Sequence, residues 1–281
     1  FVAAGCDVHE FPRCDKEPVP FTLHIIFDTE MPLYKDIIYT RDGKSTKAPH
    51  EAHDIRYTIG AYRVGGSLEE SRTADTTFVF TRPESRELNY TVQFELTEGL
   101  YDIRVWCDYV DAGSSADKYY DTRNFAEITL LNRNRHEGSN DYRDAFCGTI
   151  TAEVSDTVTE ATVDMHRPMA KFNFISTDVS EFIAAIQAIR DKKAKAQGEE
   201  VALSDFEVVF RYNGYTPDVF NTFTNKPSDS TTGVFFRSTM EALENNEAEL
   251  GFDYIFVNGS ESKVNISVEV YDYDGDLVSR F

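Results

Sequence analysis

Two histidines that flank a glutamate are the first residues whose types suggest metal chemistry. The segment reads His50-Glu51-Ala52-His53-Asp54. A zinc-protease helix needs two histidines four positions apart on one helical face, with the glutamate as general base. Here the histidines are three positions apart in a polar stretch. We therefore interpret the segment as a solvated loop between strands, with no metal bound.

Three aspartates near the end of the sequence have the spacing of a calcium loop. Asp272, Asp274 and Asp276 alternate around Gly275. Calcium takes six or more oxygen ligands, and a calcium loop closes with a glutamate that would fall beyond the last residue here. Because Asp-Gly also favours a hairpin turn, we prefer a plain β-turn, with weak calcium binding as the alternative. We expect no cofactor.

Four tyrosines could stack on sugars if their rings are exposed. Tyr119 and Tyr120 follow a Gly-Ser-Ser stretch, and Tyr212 lies close in sequence to Tyr215. Packing in a core or an interface is the alternative that we prefer. The four tyrosines are nevertheless the candidates for a glycan site.

The usual catalytic motifs are missing from the sequence. It contains no Gly-x-Ser-x-Gly elbow, phosphate loop, dinucleotide fingerprint or Cys-x-x-Cys pair. Carboxylate pairs carry no information among 49 acidic residues, because some will lie close by chance. We predict that the chain is not an enzyme.

The charge of the chain limits the classes of partner. Lys and Arg number 28 against 49 Asp and Glu, which gives a formal net charge of -21. A nucleic-acid backbone or an anionic membrane surface would be repelled by most of such a surface. Hydrophobic residues make up 41% of the chain and aromatic residues 13%, which is enough to build packed cores. We expect a folded protein that does not bind nucleic acid.

The N-terminal residues predict a lipid anchor. Residues 1–6 read Phe-Val-Ala-Ala-Gly-Cys, and small residues before a cysteine are typical of the cleavage site of a bacterial lipoprotein signal. Cys6 would then carry the acyl chain, and residues 1–19 would form the end of the signal and a tether. An ordinary small-residue tail is the alternative. With Cys6 acylated, three cysteines remain, so no disulfide framework is required.

Short alternating segments predict a mainly β fold. In 88–96, Leu88, Val92 and Phe94 share one face while Gln93 and Glu95 share the other, as in a half-buried antiparallel strand. Trp106 is expected to anchor the first core. Turn-rich stretches separate the strands as in a Greek-key sandwich. The predicted strands of this first domain, 20–165, are 21–28, 55–63, 76–81, 88–96, 100–110, 125–131, 148–154 and 160–165.

A second domain, 166–281, is predicted to start near Pro168. Asp178 and Glu181 form a capping-box pattern at the start of a helix over 178–197. The apolar face of this helix should pack on the second sandwich; its residues are Val179, Phe182, Ile183, Ile186 and Ile189. Residues 277–281 start a return strand at the point where the sequence ends, so we expect a truncated domain. The other predicted strands are 206–212, 233–239, 252–257 and 264–271.

Seven segments carry a resemblance to a known family. They are GLYDIRVW (99–106), CDYVD (107–111), YYD (119–121), DYRDAF (141–146), RPMAKF (167–172), GYTPDVFN (214–221) and LGFDYIFVN (250–258). With them the chain resembles the fimbrillin-like lipoproteins of Bacteroides, in particular the minor-fimbrium anchor proteins. The resemblance implies two tandem transthyretin-like β-sandwich domains, a fatty acid such as palmitate on Cys6, and assembly by strand donation.

These expectations combine into one functional hypothesis. The chain is expected to be a non-catalytic lipoprotein on the surface of the outer membrane that anchors or assembles a pilus, with pilin or adhesin subunits of the same system as partners. Strand addition suits such contacts, because the unpaired backbone groups of a sheet edge supply affinity. The alternative is a glycan-binding surface lipoprotein of a nutrient-uptake system.

Overall fold

The computed structural model describes residues 17–27, 52–65, 74–85, 87–194, 200–258 and 262–281. Its first strands are β1 Pro18–Phe27, β2 His53–Arg63, β3 Thr76–Pro83, β4 Tyr90–Thr97, β5 Gly99–Asp111, β6 Tyr120–Asp121, β7 Ile128–Leu130, β8 Phe146–Val154 and β9 Glu160–Met165. The later elements are β10 Met169–Ser176, helix α1 Val179–Ala194, β11 Glu207–Tyr212, β12 Tyr215–Asn221, β13 Lys226–Thr232, β14 Phe235–Thr239, β15 Glu241–Ala242, β16 Ala248–Phe256, β17 Ile266–Tyr271 and β18 Leu277–Arg280. Short 3-10 helices occupy Arg133–Arg135, Asp141–Arg143 and Leu203–Asp205. The predicted mainly β fold is confirmed.

An outer sheet and a central sheet enclose the first hydrophobic core. The outer sheet has the order β4-β1-β9 and the central sheet the order β3-β2-β5-β8. In β4, Val92, Phe94 and Leu96 are buried while Gln93 and Glu95 are exposed, as the alternation predicts. Burial of the apolar side chains between the two sheets supplies the main favourable free energy of folding of this sandwich.

The two sheets meet along one side of the sandwich and remain apart along the other. Cys147 of β8 and His166 exchange two backbone hydrogen bonds of 2.9 Å. Gly148 permits the approach of β9, since a Cβ there would lie 2.7 Å from the backbone oxygen of Asp164. On the opposite side, β3 and β4 are the terminal strands of their sheets.

The two middle strands of the central sheet, β2 and β5, are buried on both faces. Trp106 of β5 is fully buried, and its ring centroid lies 5.4 Å from that of Tyr120, 6.4 Å from that of Phe220 and 6.3 Å from that of Phe256. Tyr120 and Phe220 belong to a bridging sheet of order β13-β12-β7-β6. Trp106 is therefore a core residue as predicted, but it packs on residues from both halves of the chain.

The bridging sheet combines strands from both sides of the predicted domain boundary. Val219 of β12 pairs with Thr129 of β7, and Phe220 pairs with Ile128. A division near residue 166 stays a prediction. The strand predicted over 125–131 is shortened to β7, and the β12–β13 hairpin was not predicted.

The second core lies between sheets of order β10-β16-β15 and β14-β11-β17-β18. Phe182, Ile183 and Ile186 of α1 pack against this core and are only partly buried, which confirms the packing predicted for the helix. Ile189 is 51% exposed, so its placement on the packed face was wrong. The predicted last helical turn, after Ala194, lies outside the described residues.

Asn246 caps the N-terminus of α1 from a distant turn. Its side-chain oxygen accepts the backbone N–H of Ser180 at 2.8 Å, and its amide nitrogen donates to the Glu181 carboxylate at 3.1 Å. The Asp178 carboxylate instead accepts the Ser176 hydroxyl at 2.7 Å. The capping box predicted from Asp178 and Glu181 is therefore replaced by a tertiary cap. In the described part of the chain, no helix is long and apolar enough to cross a membrane.

Candidate partner-binding edge

Among the described residues, strand β3 lies at the edge of its sheet and has backbone groups without a partner strand. Within the described residues it pairs with β2 and with no strand on its other side. The Ala112 N–H donates to the Ala52 oxygen at 3.0 Å, and the Val64 N–H donates to the Leu100 oxygen at 2.8 Å, so even-numbered residues of β2 bond to β5. Because backbone groups alternate along an antiparallel strand, the odd-numbered residues of β2 bond to β3.

The register then identifies the free groups of β3. Ile59 pairs with Phe78 and Tyr57 with Phe80, so the even-numbered residues of β3 face β2. The N–H and C=O groups of Thr77, Val79 and Thr81 consequently point away from the sheet. Pro83, which has no N–H, falls at the next such position, where a sheet edge tolerates proline.

The side chains of β3 also favour pairing with another strand. Residues 76–81 read TTFVFT, with no charge among them. Phe78 and Phe80 are partly buried against the first core, and Phe78 stacks on Phe94 with ring centroids 4.3 Å apart. Val79 is 46% exposed. A long uncharged edge with alternating apolar residues is a site at which proteins join strands.

Arg82 limits the uncharged edge at its C-terminal end. Its guanidinium lies 4.9 Å from the centroid of the Tyr90 ring and 5.5 Å from that of Tyr57. A charged side chain directed inward at a sheet edge opposes the addition of another strand. The segment that can accept a partner strand is therefore residues 76–81, which we call the β3 edge.

The last hairpin accounts for the three aspartates considered for calcium. The Asp272 carboxylate accepts the backbone N–H groups of Asp274 and Asp276 at 3.1 and 2.9 Å, in the turn between β17 and β18. The return strand expected over 277–281 is present as β18. No cluster of three or more histidine, cysteine or acidic side chains able to hold a metal ion occurs among the described residues.

The four tyrosines considered for sugar stacking do not form exposed clusters. Tyr119, Tyr120 and Tyr212 are 9%, 1% and 4% exposed, whereas Tyr215 is 76% exposed. Tyr120 faces Trp106, and the Tyr212 hydroxyl donates to the buried Asp253. The glycan-stacking expectation is corrected for the three buried rings, because core packing covers their faces.

His53 is part of the core and not of a solvated loop. It begins β2 and is 5% exposed. Its ring stacks on Tyr142 with centroids 3.6 Å apart, and its Nε2 lies 3.1 Å from the Tyr119 hydroxyl. The loop interpretation is therefore wrong for this residue. His50 and Glu51 lie outside the described residues, as does Cys6, whose lipidation stays a prediction.

Cys147, His166 and Asn225 are residue types that can form a nucleophilic triad. The Cys147 sulfur lies 3.3 Å from His166 Nε2, and the same nitrogen lies 2.9 Å from the Asn225 side-chain oxygen. A triad uses the two ring nitrogens separately, one for the nucleophile and one for the orienting group. Burial raises the pKa of the Cys147 thiol to about 12. This arrangement therefore supplies neither a thiolate nor a proton relay.

A buried ionic cluster joins residues of both cores. The Asp253 carboxylate accepts hydrogen bonds from Arg143 and from the Tyr212 hydroxyl, and His136 Nε2 lies 2.6 Å from its second oxygen. Burial alone would raise the pKa of Asp253, but Arg143, His136 and Tyr212 together hold it below its usual value. The cluster stabilises the contact between the two cores and has no opening for a substrate.

At a second buried ion pair, burial has a larger effect on the carboxylate pKa than the partner arginine has. Arg56 donates to both carboxylate oxygens of Asp108, at 2.9 and 2.7 Å. Burial nevertheless raises the pKa of Asp108, because its desolvation outweighs the stabilisation by Arg56. Sequence reasoning missed both clusters, since acidic residues inside strands look like any others in a chain with 49 of them.

Comparison with known proteins gives one family and a group of similar folds. A model of a family of unknown function, DUF6562, matches residues 19–281. The fimbrial anchor protein Mfa2 from Porphyromonas gingivalis is 10% identical; the match covers 94% of this chain and 82% of that chain, with a TM-score of 0.46. A protein from Bacteroides thetaiotaomicron described as a putative adhesin is 14% identical over 93% of this chain and 79% of its own, with a TM-score of 0.46. No curated protein matches the chain.

Proposed function

The chain belongs to the family of unknown function DUF6562, and on the geometry of the β3 edge we propose that it is a surface subunit that joins a fimbrial or adhesive partner by accepting a β-strand. The function is structural and needs no catalysis. The observation that carries the proposal is the uncharged edge of β3, which no other described strand pairs with and in which Val79 is 46% exposed.

The position of the edge supports strand addition. A strand added to β3 would extend the central sheet, whose other end is joined to the outer sheet through Cys147 and His166. Its backbone would pair with the free groups of Thr77 and Val79, and its inward side chains would cover the half-buried Phe78 and Phe80. Backbone pairing gives affinity and the alternating side chains give register in such complexes.

The location that we propose follows from residues 1–6. The predicted tether is shorter than residues 1–19, because Pro18 and Val19 already pair with β4 as the start of β1. A lipid on Cys6 would hold the chain at the outer membrane, with the residues between Cys6 and Pro18 as the tether and the sandwiches exposed at the cell surface. Pilin or adhesin subunits of the same system are the partners that this location makes available. A net charge of -21 suits a protein at the cell surface that must stay soluble near anionic lipids.

The edge is tested by replacing Val79. Val79→Pro removes one outward N–H and leaves every bond of β3 to β2 intact, whereas Val79→Thr keeps the N–H and the side-chain volume. In the bacterium that encodes the chain, detergent-solubilised outer membranes are separated by native electrophoresis, and the complexes are identified by mass spectrometry. We expect the wild type and Val79→Thr in a complex with a fimbrial subunit, and at least about a threefold loss for Val79→Pro, because a lost hydrogen bond costs about 1 kcal/mol.

Two controls keep the result decisive. Purified Val79→Pro must melt within a few degrees of the wild type, and Val79→Lys, which retains the N–H but places a charge at the edge, should also reduce the complex. Normal amounts of complex in both variants, or a wild-type chain without any fimbrial partner, would refute the proposal.

The anchor is tested separately by labelling with a fatty-acid analogue. Wild-type cells should yield the chain with an acyl group on Cys6, and Cys6→Ser should yield an unlabelled chain that leaves the membrane fraction. Cys14→Ser serves as the matched control and should keep the label. An unlabelled wild type would refute the proposed lipid anchor, but it would not bear on strand addition at the β3 edge.

A further inference from the structure

An open cleft of about 950 Å³ lies on the sheet β14-β11-β17-β18, far in sequence from the β3 edge. Val208 and Phe210 of β11 point into the second core. Because side chains alternate along a strand, Glu207, Val209 and Arg211 line the opposite face. The 3-10 helix Leu203–Asp205 and the turn after β17 contribute to the walls.

The polar side chains of this cleft are fixed by one another. Arg211 Nε lies 2.9 Å from Glu269 Oε2, and the Tyr271 hydroxyl donates to the same oxygen at 2.8 Å. Arg280 reaches the other oxygen of Glu269 at 2.9 Å. The Glu269 side chain is 7% exposed, while those of Arg211 and Arg280 are 43% and 61% exposed. Of these residues, Arg211 and Tyr271 line the cleft, and Glu269 beside it fixes the orientation of the Arg211 guanidinium.

A second arginine–glutamate ion pair lies across the neighbouring strands β14 and β11. Arg237 of β14 pairs with Glu207 of β11, and both side chains remain about half exposed. Hydrogen bonds from Arg211 and Tyr271 hold the pKa of Glu269 below its usual value, so the carboxylate is ionised at neutral pH. Arg211 and Arg237 are each paired with a carboxylate. The acidic residues Asp205, Glu207, Glu241 and Asp272 also line the cleft, so a ligand meets both signs of charge there.

We propose that this cleft binds a neutral polysaccharide. Sugar hydroxyls both donate and accept hydrogen bonds, so they suit a surface of guanidinium and carboxylate groups. Tyr273 is 65% exposed at the rim. The Arg190 guanidinium lies 4.7 Å from its ring centroid, so the opposite face of the ring is the one on which a sugar can stack. The volume lies within the range of about 300 to 1,000 Å³ typical of small-ligand sites.

A polypeptide is the less suitable occupant. Its side chains would need apolar pockets, but Phe206 and Val209, which line the cleft, are 2% and 1% exposed. An acidic polysaccharide would meet Asp205, Glu207 and Asp272 as well as the arginines. The neutral sugar is the ligand class that pairs with both signs of charge at no cost in repulsion.

The test is affinity electrophoresis of the purified chain through gels containing amylopectin, xylan, mannan or laminarin, with polygalacturonate as the acidic comparison. We expect retardation in at least one neutral gel, and its loss by about tenfold in apparent affinity for Tyr273→Ala and for Arg237→Ala. Tyr215→Ala is the comparison variant, because it removes a ring that is 76% exposed on β12, outside the cleft. Loss of retardation for Tyr215→Ala alone would place the sugar at that ring and overturn the proposal. Thermal melting of each variant excludes unfolding as the cause.

Three further outcomes would overturn the proposal: no retardation in any neutral gel, retardation in the acidic gel alone, or retardation that Tyr273→Ala leaves unchanged. Binding of a peptide library without sugar binding would assign the cleft to a polypeptide and overturn the proposal as well. Because β3 contributes nothing to the cleft, the Val79 variants should bind sugar normally, so failure of one proposal is distinguishable from failure of the other.

Discussion

Arg143 and Asp253 form an ion pair whose side chains are only 4% and 1% exposed. The Arg143 backbone oxygen accepts the hydroxyl of Tyr120 from the first core, and Asp253 accepts that of Tyr212 from the second. Two residues that are 110 positions apart in sequence thus connect the two cores through one pair of charges.

Removing the Asp253 charge should strongly destabilise the fold. Asp253→Asn leaves Arg143 as a buried cation without its counter-ion, and breaking such a pair typically costs about 3 to 5 kcal/mol. The free energy of unfolding in urea measures the loss. Glu207→Gln, which breaks the exposed pair with Arg237, is the control and should change stability by less than about 1 kcal/mol. Equal effects of the two substitutions would contradict this prediction.

The same carboxylate should make stability depend on acid pH. The pKa of Asp253 is lowered in the folded chain, so its stabilising contribution is present above the unfolded pKa of about 3.9 and is lost as the pH falls through the folded pKa. Unfolding of the wild type and of Asp253→Asn is compared at pH 7 and at pH 3. The difference in free energy should be smaller at pH 3, and a constant difference would show that the charge of Asp253 is not responsible.

The two buried thiols should be unreactive in the folded chain. Burial raises the pKa of Cys147 to about 12 and that of Cys107 well above its usual value, and only a thiolate is a good nucleophile. In a Cys6→Ser/Cys14→Ser chain at pH 8, iodoacetamide should leave both thiols unmodified for hours and modify both within minutes in denaturant. Rapid selective labelling of Cys147 in the native state would indicate an activated thiol beside His166.

Asn246 should contribute about 1 kcal/mol as the cap of α1. Its φ angle is 63°, a conformation that favours glycine or asparagine over other residues, so Asn246→Gly isolates the side chain from backbone strain. We expect Asn246→Gly to lose most of the capping energy in thermal melts and Asp178→Ala to change little. Asn246→Asp keeps the acceptor for Ser180 but places a second carboxylate against Glu181, so it should retain only part of the capping energy at neutral pH. A larger loss of stability for Asp178→Ala than for Asn246→Gly would support the capping box predicted from sequence.

Local periodicity explains why several elements could be predicted. The alternation in 88–96 defines β4, and the apolar spacing of α1 defines the face formed by Phe182, Ile183 and Ile186. In both elements the buried residues repeat at the period of a single strand or helix. They can be recognised without knowing which residues far away in sequence they contact.

Elements that depend on tertiary pairing could not be recognised in this way. The β12–β13 hairpin contains Pro217, has register shifts next to it, and continues into the polar strand Lys226–Thr232, so its sequence lacks a period of two. Pairing with β7 makes it a strand. The Asn246 cap and the free groups of β3 likewise depend on chain segments far away in sequence, and only the register reveals them.

The bridging sheet has a consequence for the order in which the parts of the chain can fold. Tyr120 is synthesised soon after Trp106, but the other rings around it, Phe220 and Phe256, follow more than a hundred residues later. Until then the indole and one face of the central sheet lack these contacts, and β7 lacks its partner strand β12. A fragment that ends before β12 would therefore lack Phe220, Phe256 and the partner strand of β7, so we do not expect the N-terminal half to complete its core alone.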